Sequence, residues 1–235
     1  MSAPEAIAFR LGRVPYLEAL ALQRRLVRAR IAERIPAILL LLEHPPVFSV
    51  GRSGGIDSVR VPRERLAAEG IELYYTDRGG GITYHGPGQV VGYPIVSLAA
   101  LGLNVHDYVY SLEEVVLRTL ADVGVAAERV SAGPSYRGVW VHGAKVCAIG
   151  LRVTRGVTMH GFALNVAPDM THFDFIDACG LREAPVSLAQ LVEQPPAQPQ
   201  IEDLLVRHFA SVFGLAMREE KEEVERWLEA VCPLG

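Results

Sequence analysis

The stretch GVWVHGAKVCAIGLRVTRGVTMHGFALNV, residues 138–166, decides the fold. It divides into three apolar runs, Gly138 to Val141, Lys145 to Val153 and Val157 to Val166. His142-Gly143-Ala144 and Arg155-Gly156 separate them. Runs of this kind, joined by short glycine-containing gaps, predict strands connected as hairpins, and hence an antiparallel meander. In the middle run Lys145, Cys147, Ile149, Leu151 and Val153 alternate. Side chains two apart on a strand share a face. Four of these five are apolar, so the face is predicted to be buried, with a lysine at its head and a cysteine as that lysine's neighbour.

Outward from this meander, the pattern predicts further elements. Tyr16 to Glu33 reads as an amphipathic helix with Tyr16, Leu20, Val27 and Ile31 on one side. Ala37 to Leu42, bounded by Pro36 and Pro45-Pro46, reads as a strand buried on both faces. Short strands are expected near Ile71 to Tyr75 and over Val90 to Ser97. Asn104 is an N-cap for a helix carrying Val109, Leu112, Val116 and Val123, and Gly124 ends it. Glu193 to Gln200 is a Pro-rich surface connection, after which helices are expected over Ile201 to Phe213 and Glu219 to Val231. Strands and helices that do not alternate regularly predict an α+β domain, with a mixed, largely antiparallel sheet flanked by helices.

The chain of 235 residues is half apolar and 21% charged, which suits one globular domain over 1–235. A formal charge of -4 gives no basis for general nucleic-acid binding. The most apolar run, IPAILLLLEHPPVF, is too short to span a membrane, and the first residues lack the pattern of a signal peptide. Three cysteines without framework spacing (Cys147, Cys179 and Cys232) favour a reducing compartment, so a cytoplasmic protein is expected.

Chemistry is concentrated in a few places. RGGGITYHGPGQ, Arg78 to Gln89, is five-twelfths glycine, so its backbone can turn tightly and approach a ligand closely. It lacks the lysine and spacing of a Walker phosphate loop and does not open a helix as a dinucleotide loop does. His85 within it could bond to a substrate carbonyl, although a lone histidine is more often structural. His160, His172 and Cys179 have no close-pair ligand spacing, so no metal site is expected. No GxSxG elbow supports a serine hydrolase. Cys147 fits a packed small hydrophobe. Cys179, in FDFIDACG, sits in an irregular segment beside Asp174 and Asp177, which would raise its pKa unless a cation offsets them. Lys145 is the candidate cation, and nothing in the spacing brings positions 145 and 179 together. Arg24, Arg25, Arg28, Arg30 and Arg34 make the densest basic segment, either an ordinary solvated helix face or a docking surface for an acidic protein.

LLEHPPVFSVGR (Leu41 to Arg52), RGGGITYHGPGQVVGYPI (Arg78 to Ile95), GAKVCAIGLRV, HGFALNV (His160 to Val166) and ACG (Ala178 to Gly180) follow one another in this order. Through them most of the chain resembles the lipoyl(octanoyl) transferases of lipoate biosynthesis, relatives of the lipoate and biotin protein ligases. The resemblance implies the biotin/lipoate protein ligase-like catalytic domain. It further implies a two-step acyl transfer without a cofactor or metal. Cys179 would take octanoyl from octanoyl-acyl carrier protein as a thioester. The acyl group would then pass to a lysine on lipoyl domains of oxo-acid dehydrogenases or on the glycine-cleavage H protein. Lys145 would lower the thiol's pKa and shuttle protons. Arg78, Gly79, Gly80, Gly81, Ile82, Thr83, Tyr84 and His85, with Ala148, Ile149, Gly150, Gly161, Phe162 and Ala163, would line the acyl pocket. One departure is visible: the family usually has proline where this chain has Ala178.

Overall fold

The computed structural model describes residues 3–130, 137–177, 184–220 and 223–231. Its elements run β1 (Glu5–Arg13), α1 (Tyr16–Ile31), β2 (Ala37–Glu43), β3 (Val47–Val50), α2 (Arg63–Ala68), β4 (Glu72–Tyr75), β5 (Ile82–His85) and β6 (Gln89–Ile95). There follow α3 (Leu98–Leu101), α4 (Val105–Asp122), β7 (Gly138–Val141), β8 (Ala144–Thr154) and β9 (Val157–Asn165). The chain continues through α5 (Leu188–Leu191), α6 (Gln198–Phe213), β10 (Ala216–Glu219) and α7 (Val224–Val231).

A seven-stranded sheet in the order β10-β1-β2-β6-β9-β8-β7 forms the body, and a smaller sheet, β4-β3-β5, stands beside it. The predicted meander is present. β7, β8 and β9 pair antiparallel, and both hairpin turns have two residues at positive φ: His142 and Gly143, then Arg155 and Gly156. That geometry matches the natural twist of paired strands. β6 extends the antiparallel set, whereas β1 runs parallel to both β2 and β10.

β2 shows why an unbroken apolar run makes a central strand. Ala37, Leu39 and Leu41 pack into one core with α4 and α6, while Ile38, Leu40 and Leu42 pack into another with α1 and α7. Helices thus cover both faces of the sheet. A third, smaller core (Phe48, Val50, Leu66, Ile71, Ile82, Tyr84, Ile176) holds the small sheet, with α2 against it.

Three expectations need correcting. β1 carries no strand signal in the sequence, because Ala6 to Phe9 are all buried and give no alternation to read. The last helix begins at Val224, not Glu219, since residues 216–219 pair with β1 as β10. The third correction bears on function. The β7–β8 register shifts between Val139 and Trp140: Val139 pairs with Cys147, but Trp140 pairs with Lys145. One extra residue is therefore accommodated in β8, a β-bulge. Val139 and Trp140 face opposite ways, so Lys145 and Cys147 do too. Val146 and Cys147 both enter the core, and Lys145 lies on the other face.

Asn104 caps α4 as expected, its Oδ1 accepting from the Asp107 amide at 2.9 Å while its Nδ2 donates to the Asp107 carboxylate at 2.7 Å. Asn104→Ala should lower stability by about 1 kcal/mol. In a chain of this size that is a fall of roughly 2–4 °C in a thermal melt.

Candidate active site

The cavity begins with the face of β8 that the bulge selects. Beyond it Ala148 and Gly150 lie opposite Ala163 and Gly161 of β9. All four line a cavity with about 930 Å³ of empty space, open solvent at its mouth included. They form a floor of hydrogens and methyl groups. Neither floor glycine could carry a side chain without a clash. A Cβ on Gly150 would lie 2.9 Å from the Gly79 carbonyl oxygen, and one on Gly161 would lie 2.2 Å from that of Gly92. Lys145, half-buried, stands at one end with its Nζ 4.8 Å from the centre of the Trp140 ring.

The glycine loop forms the roof. The Gly79 amide donates to the Leu151 carbonyl at 2.9 Å, fastening the loop to β8. Arg78 is buried and ties the loop to the small sheet: its Nη2 donates to the Ser49 carbonyl at 2.6 Å and to Ser49 Oγ at 3.0 Å. Ser49 Oγ lies 3.2 Å from His85 Nε2. Burial, with the nearby His44 and Arg78, pushes His85 well below the ordinary imidazole pKa.

The end of the cavity away from Lys145 is polar. His160 sits there at φ 59, its amide donating to Gln23 Oε1 of α1 at 2.7 Å and its Nε2 bonded to Asp77 at 2.9 Å. Arg152, on the same face of β8 as Gly150, pairs with the other Asp77 oxygen. Burial lowers the His160 pKa despite that carboxylate. Burial alone would raise Asp77, but the His160 bond and the Arg152 charge outweigh it and hold the carboxyl below its usual range. Behind stand Tyr16 and Tyr93. His44 Nδ1 donates to the Val14 carbonyl at 2.7 Å, so its Nε2 accepts from the Tyr93 hydroxyl at 2.8 Å.

Of the expected site residues, Lys145 and all the pocket positions except Gly79 and Tyr84 line this cavity. Tyr84 turns into the small core, where its hydroxyl meets His172 Nδ1 at 2.8 Å. Cys147 is sealed in the main core, and burial raises its thiol pKa. Cys179 lies outside the described residues, as do Ala178 and Gly180. The chain on either side is well tied. The Asp177 amide donates to the Ser58 carbonyl at 2.7 Å, and the Val186 amide donates to the carbonyl of Lys145 itself at 3.0 Å. Phe173 and Pro185 both line the cavity. Tyr16, Gln89, Tyr93, Arg137, His160 and Asn165 line it too, though the sequence did not single them out as pocket residues. Gln89, Tyr93, His160 and Asn165 carried a signal, as members of the family motifs, whereas Tyr16 and Arg137 lie outside those motifs. The basic segment of α1 divides: Arg25 pairs with Glu225, while Arg24 and Arg28 are exposed.

This mixed sheet flanked by helices is the fold of lipoate protein ligases of known structure. Over 97% of this chain and 90% of theirs, it superposes with a TM-score of 0.75 on a bipartite lipoate protein ligase from Thermoplasma acidophilum, at 17% identity. The lipoyl protein ligase A/B catalytic domain matches residues 15–210, and the chain belongs to that family. Within it the chain is 47% identical to an octanoyltransferase of Gloeobacter violaceus (87% of this chain, 88% of that one). It is 46% identical to an octanoyltransferase of Rubrobacter xylanophilus (86% and 91%). The chain is accordingly an acyltransferase of lipoate biosynthesis. Among the described residues, no helix is long and apolar enough to cross a membrane.

The buried histidines make stability depend on pH. Burial lowers the His44 pKa from 6.5 to about 4. Between those values the unfolded chain binds a proton at this position that the folded chain refuses, so stability falls as pH falls through the window. The loss from His44 alone is about 3 kcal/mol. Urea unfolding at pH 7, 6 and 5 should show this slope, and His44→Gln should flatten it by about one proton. An unchanged slope in the variant would contradict a neutral, buried His44.

Proposed function

We propose that this enzyme carries octanoyl from an acyl carrier protein to a lysine of a lipoyl domain through a thioester on Cys179. The observation that carries the reading is the bulge, which puts Lys145 on the cavity wall, together with the Val186-to-Lys145 hydrogen bond. That bond returns the chain just after position 183 to the backbone of the lysine itself.

In the first half-reaction the Cys179 thiolate attacks the carbonyl of the octanoyl thioester. The carrier's thiolate leaves and takes up a proton. One thioester replaces another, so no nucleotide is required. Lys145 as an ammonium favours the thiolate by its charge. In the second half-reaction the amine of the target lysine attacks the new thioester, an amide forms, and the Cys179 thiolate leaves. The amine gives up a proton, which Lys145 accepts in its neutral form. The acyl chain lies along the Ala148/Ala163 and Gly150/Gly161 floor. The oxo-acid dehydrogenase lipoyl domains and the glycine-cleavage H protein are the acceptors this chemistry fits.

Incubation with octanoyl-carrier protein, without ATP or magnesium, should add one octanoyl group to Cys179, seen by peptide mass spectrometry. A strict need for ATP with free octanoate would make the enzyme a ligase, and an adduct on Cys147 would overturn the site. The two roles of Lys145 separate by substitution. Lys145→Ala should suppress acylation of Cys179. Lys145→Arg keeps a charge but cannot accept a proton at working pH. It should retain some acylation and lose amide formation. Single-turnover assays of each half-reaction read this directly, and near-wild-type transfer by Lys145→Ala would remove the lysine from the mechanism.

A further inference from the structure

The bulge also decides which residue of β7 Lys145 meets. Continued regularly from the Val139–Cys147 pair, the register would oppose Lys145 to Val141, whose side chain lies in the main core. The shift opposes it to Trp140 instead. Val139 and Val141 both enter the main core, so Trp140 between them faces the other way, as the lysine does. Directly opposed residues of an antiparallel pair have Cβ atoms about 5 Å apart, within reach of long side chains. Here the Lys145 Nζ lies over the indole, 4.8 Å from the ring centre.

The ring is fixed from outside the pair. The Trp140 amide donates to the Glu128 carbonyl at 2.9 Å, and the Glu128 amide donates to the Trp140 carbonyl at 2.8 Å. The outer edge of β7 is therefore clamped at this residue. Two residues earlier the Gly138 amide donates to Oε1 of the buried Glu113, on α4, at 3.1 Å. Trp140 itself is 3% exposed. A buried ring on a clamped backbone has little freedom, and the electron-rich face of an indole attracts a cation within about 6 Å. That attraction acts on the ammonium form of Lys145, and the neutral amine gains nothing comparable.

We infer that Trp140 is a positioning residue, whose indole face holds the Lys145 ammonium at the cavity wall in the form that assists attack by the Cys179 thiolate. The inference rests on the proposed octanoyl transfer and adds a residue that acts through the lysine. Among the described residues, Lys145 lines the cavity and Trp140 does not, so the ring works on the lysine and not on the acyl chain. Space filling is the alternative. The two differ in what happens when the ring keeps its shape but loses electron density. Each fluorine on an indole withdraws density from its face and weakens the pull on a cation.

The chain has two tryptophans, Trp140 and Trp227. In a Trp227→Phe enzyme, mono-, di- and trifluorotryptophan therefore label position 140 alone. Single-turnover acylation of Cys179 from octanoyl-carrier protein should slow stepwise along this series, by about fivefold at three fluorines. Amide formation, started from enzyme already octanoylated, should stay within about twofold, because there Lys145 acts in its neutral form. Trp140→Phe keeps a weaker ring and should acylate faster than Trp140→Leu, which has none. Acylation indifferent to fluorine, with octanoyl transfer intact, overturns the inference and leaves the function standing. So does equal slowing of both steps, the mark of a general loss of shape, and so does a Phe variant no faster than the Leu variant. Absence of octanoyl transfer in the wild-type enzyme overturns the function, and this inference with it.

Discussion

One extra residue in one strand sets the chemistry of this cavity. Strict alternation through β8 would place Lys145 with Cys147, Ile149 and Leu151, facing the core that α4 and α6 cover. There an ammonium group would have to shed its water among apolar side chains, which is prohibitive without a buried partner. The bulge lets Val146 and Cys147 both enter that core and moves the lysine to the opposite face. The same step aligns Lys145 with Ala148, Gly150 and Arg152, so one strand face carries a cation, a smooth floor and a second cation in sequence. The thiol that looked paired with the lysine is an inert packing group, and Cys179 inherits the role of nucleophile in the proposed mechanism.

That face would be useless without a roof, and the roof depends on Arg78. Its guanidinium donates to both oxygens of Ser49, and Ser49 in turn meets His85, so the glycine loop, β3 and β5 move as one piece. Gly79 then fastens the loop to β8 through the Leu151 carbonyl. Buried hydrogen bonds of this kind add modest net stability each, but leaving any member unpaired is expensive. The network therefore specifies one position for the loop more than it strengthens the fold. The glycines matter for the same reason. Only a hydrogen fits between Gly150 and the Gly79 carbonyl, so the loop packs directly on β8 at that point.

The elements that could be read from sequence were those whose local pattern is independent of distant partners. The hairpin turns at His142-Gly143 and Arg155-Gly156, the Asn104 cap and the doubly buried β2 all fall into this class. So does the family resemblance, since motifs such as RGGGITYHGPGQ survive as strings. What could not be read depends on pairing across the chain. β1 has no alternation, and β10 is four residues whose strand character comes from lying beside β1. The bulge is a mismatch between two strands and cannot be seen in either alone. Tyr16 and His44 look like a helix start and a loop residue, yet α1 and the β2–β3 turn bring both beside His85.

These constraints meet in the division of the cavity along β8 and β9. In the proposed mechanism the Lys145 end supplies charge and proton transfer. In the same mechanism the floor must hold an alkyl chain without gripping it, because the chain would arrive on one protein and leave on another. At the His160 end a positive φ on a non-glycine residue is sustained by two bonds, from its amide to Gln23 and from its ring to Asp77. Such strain persists only where the surroundings over-determine it. Here the surroundings are α1 and the Asp77–Arg152 pair, so the first helix and the far end of β8 together brace this end of the cavity. Lys145 and this braced end thus sit at opposite ends of one strand pair, and the register of β8 sets the distance between them.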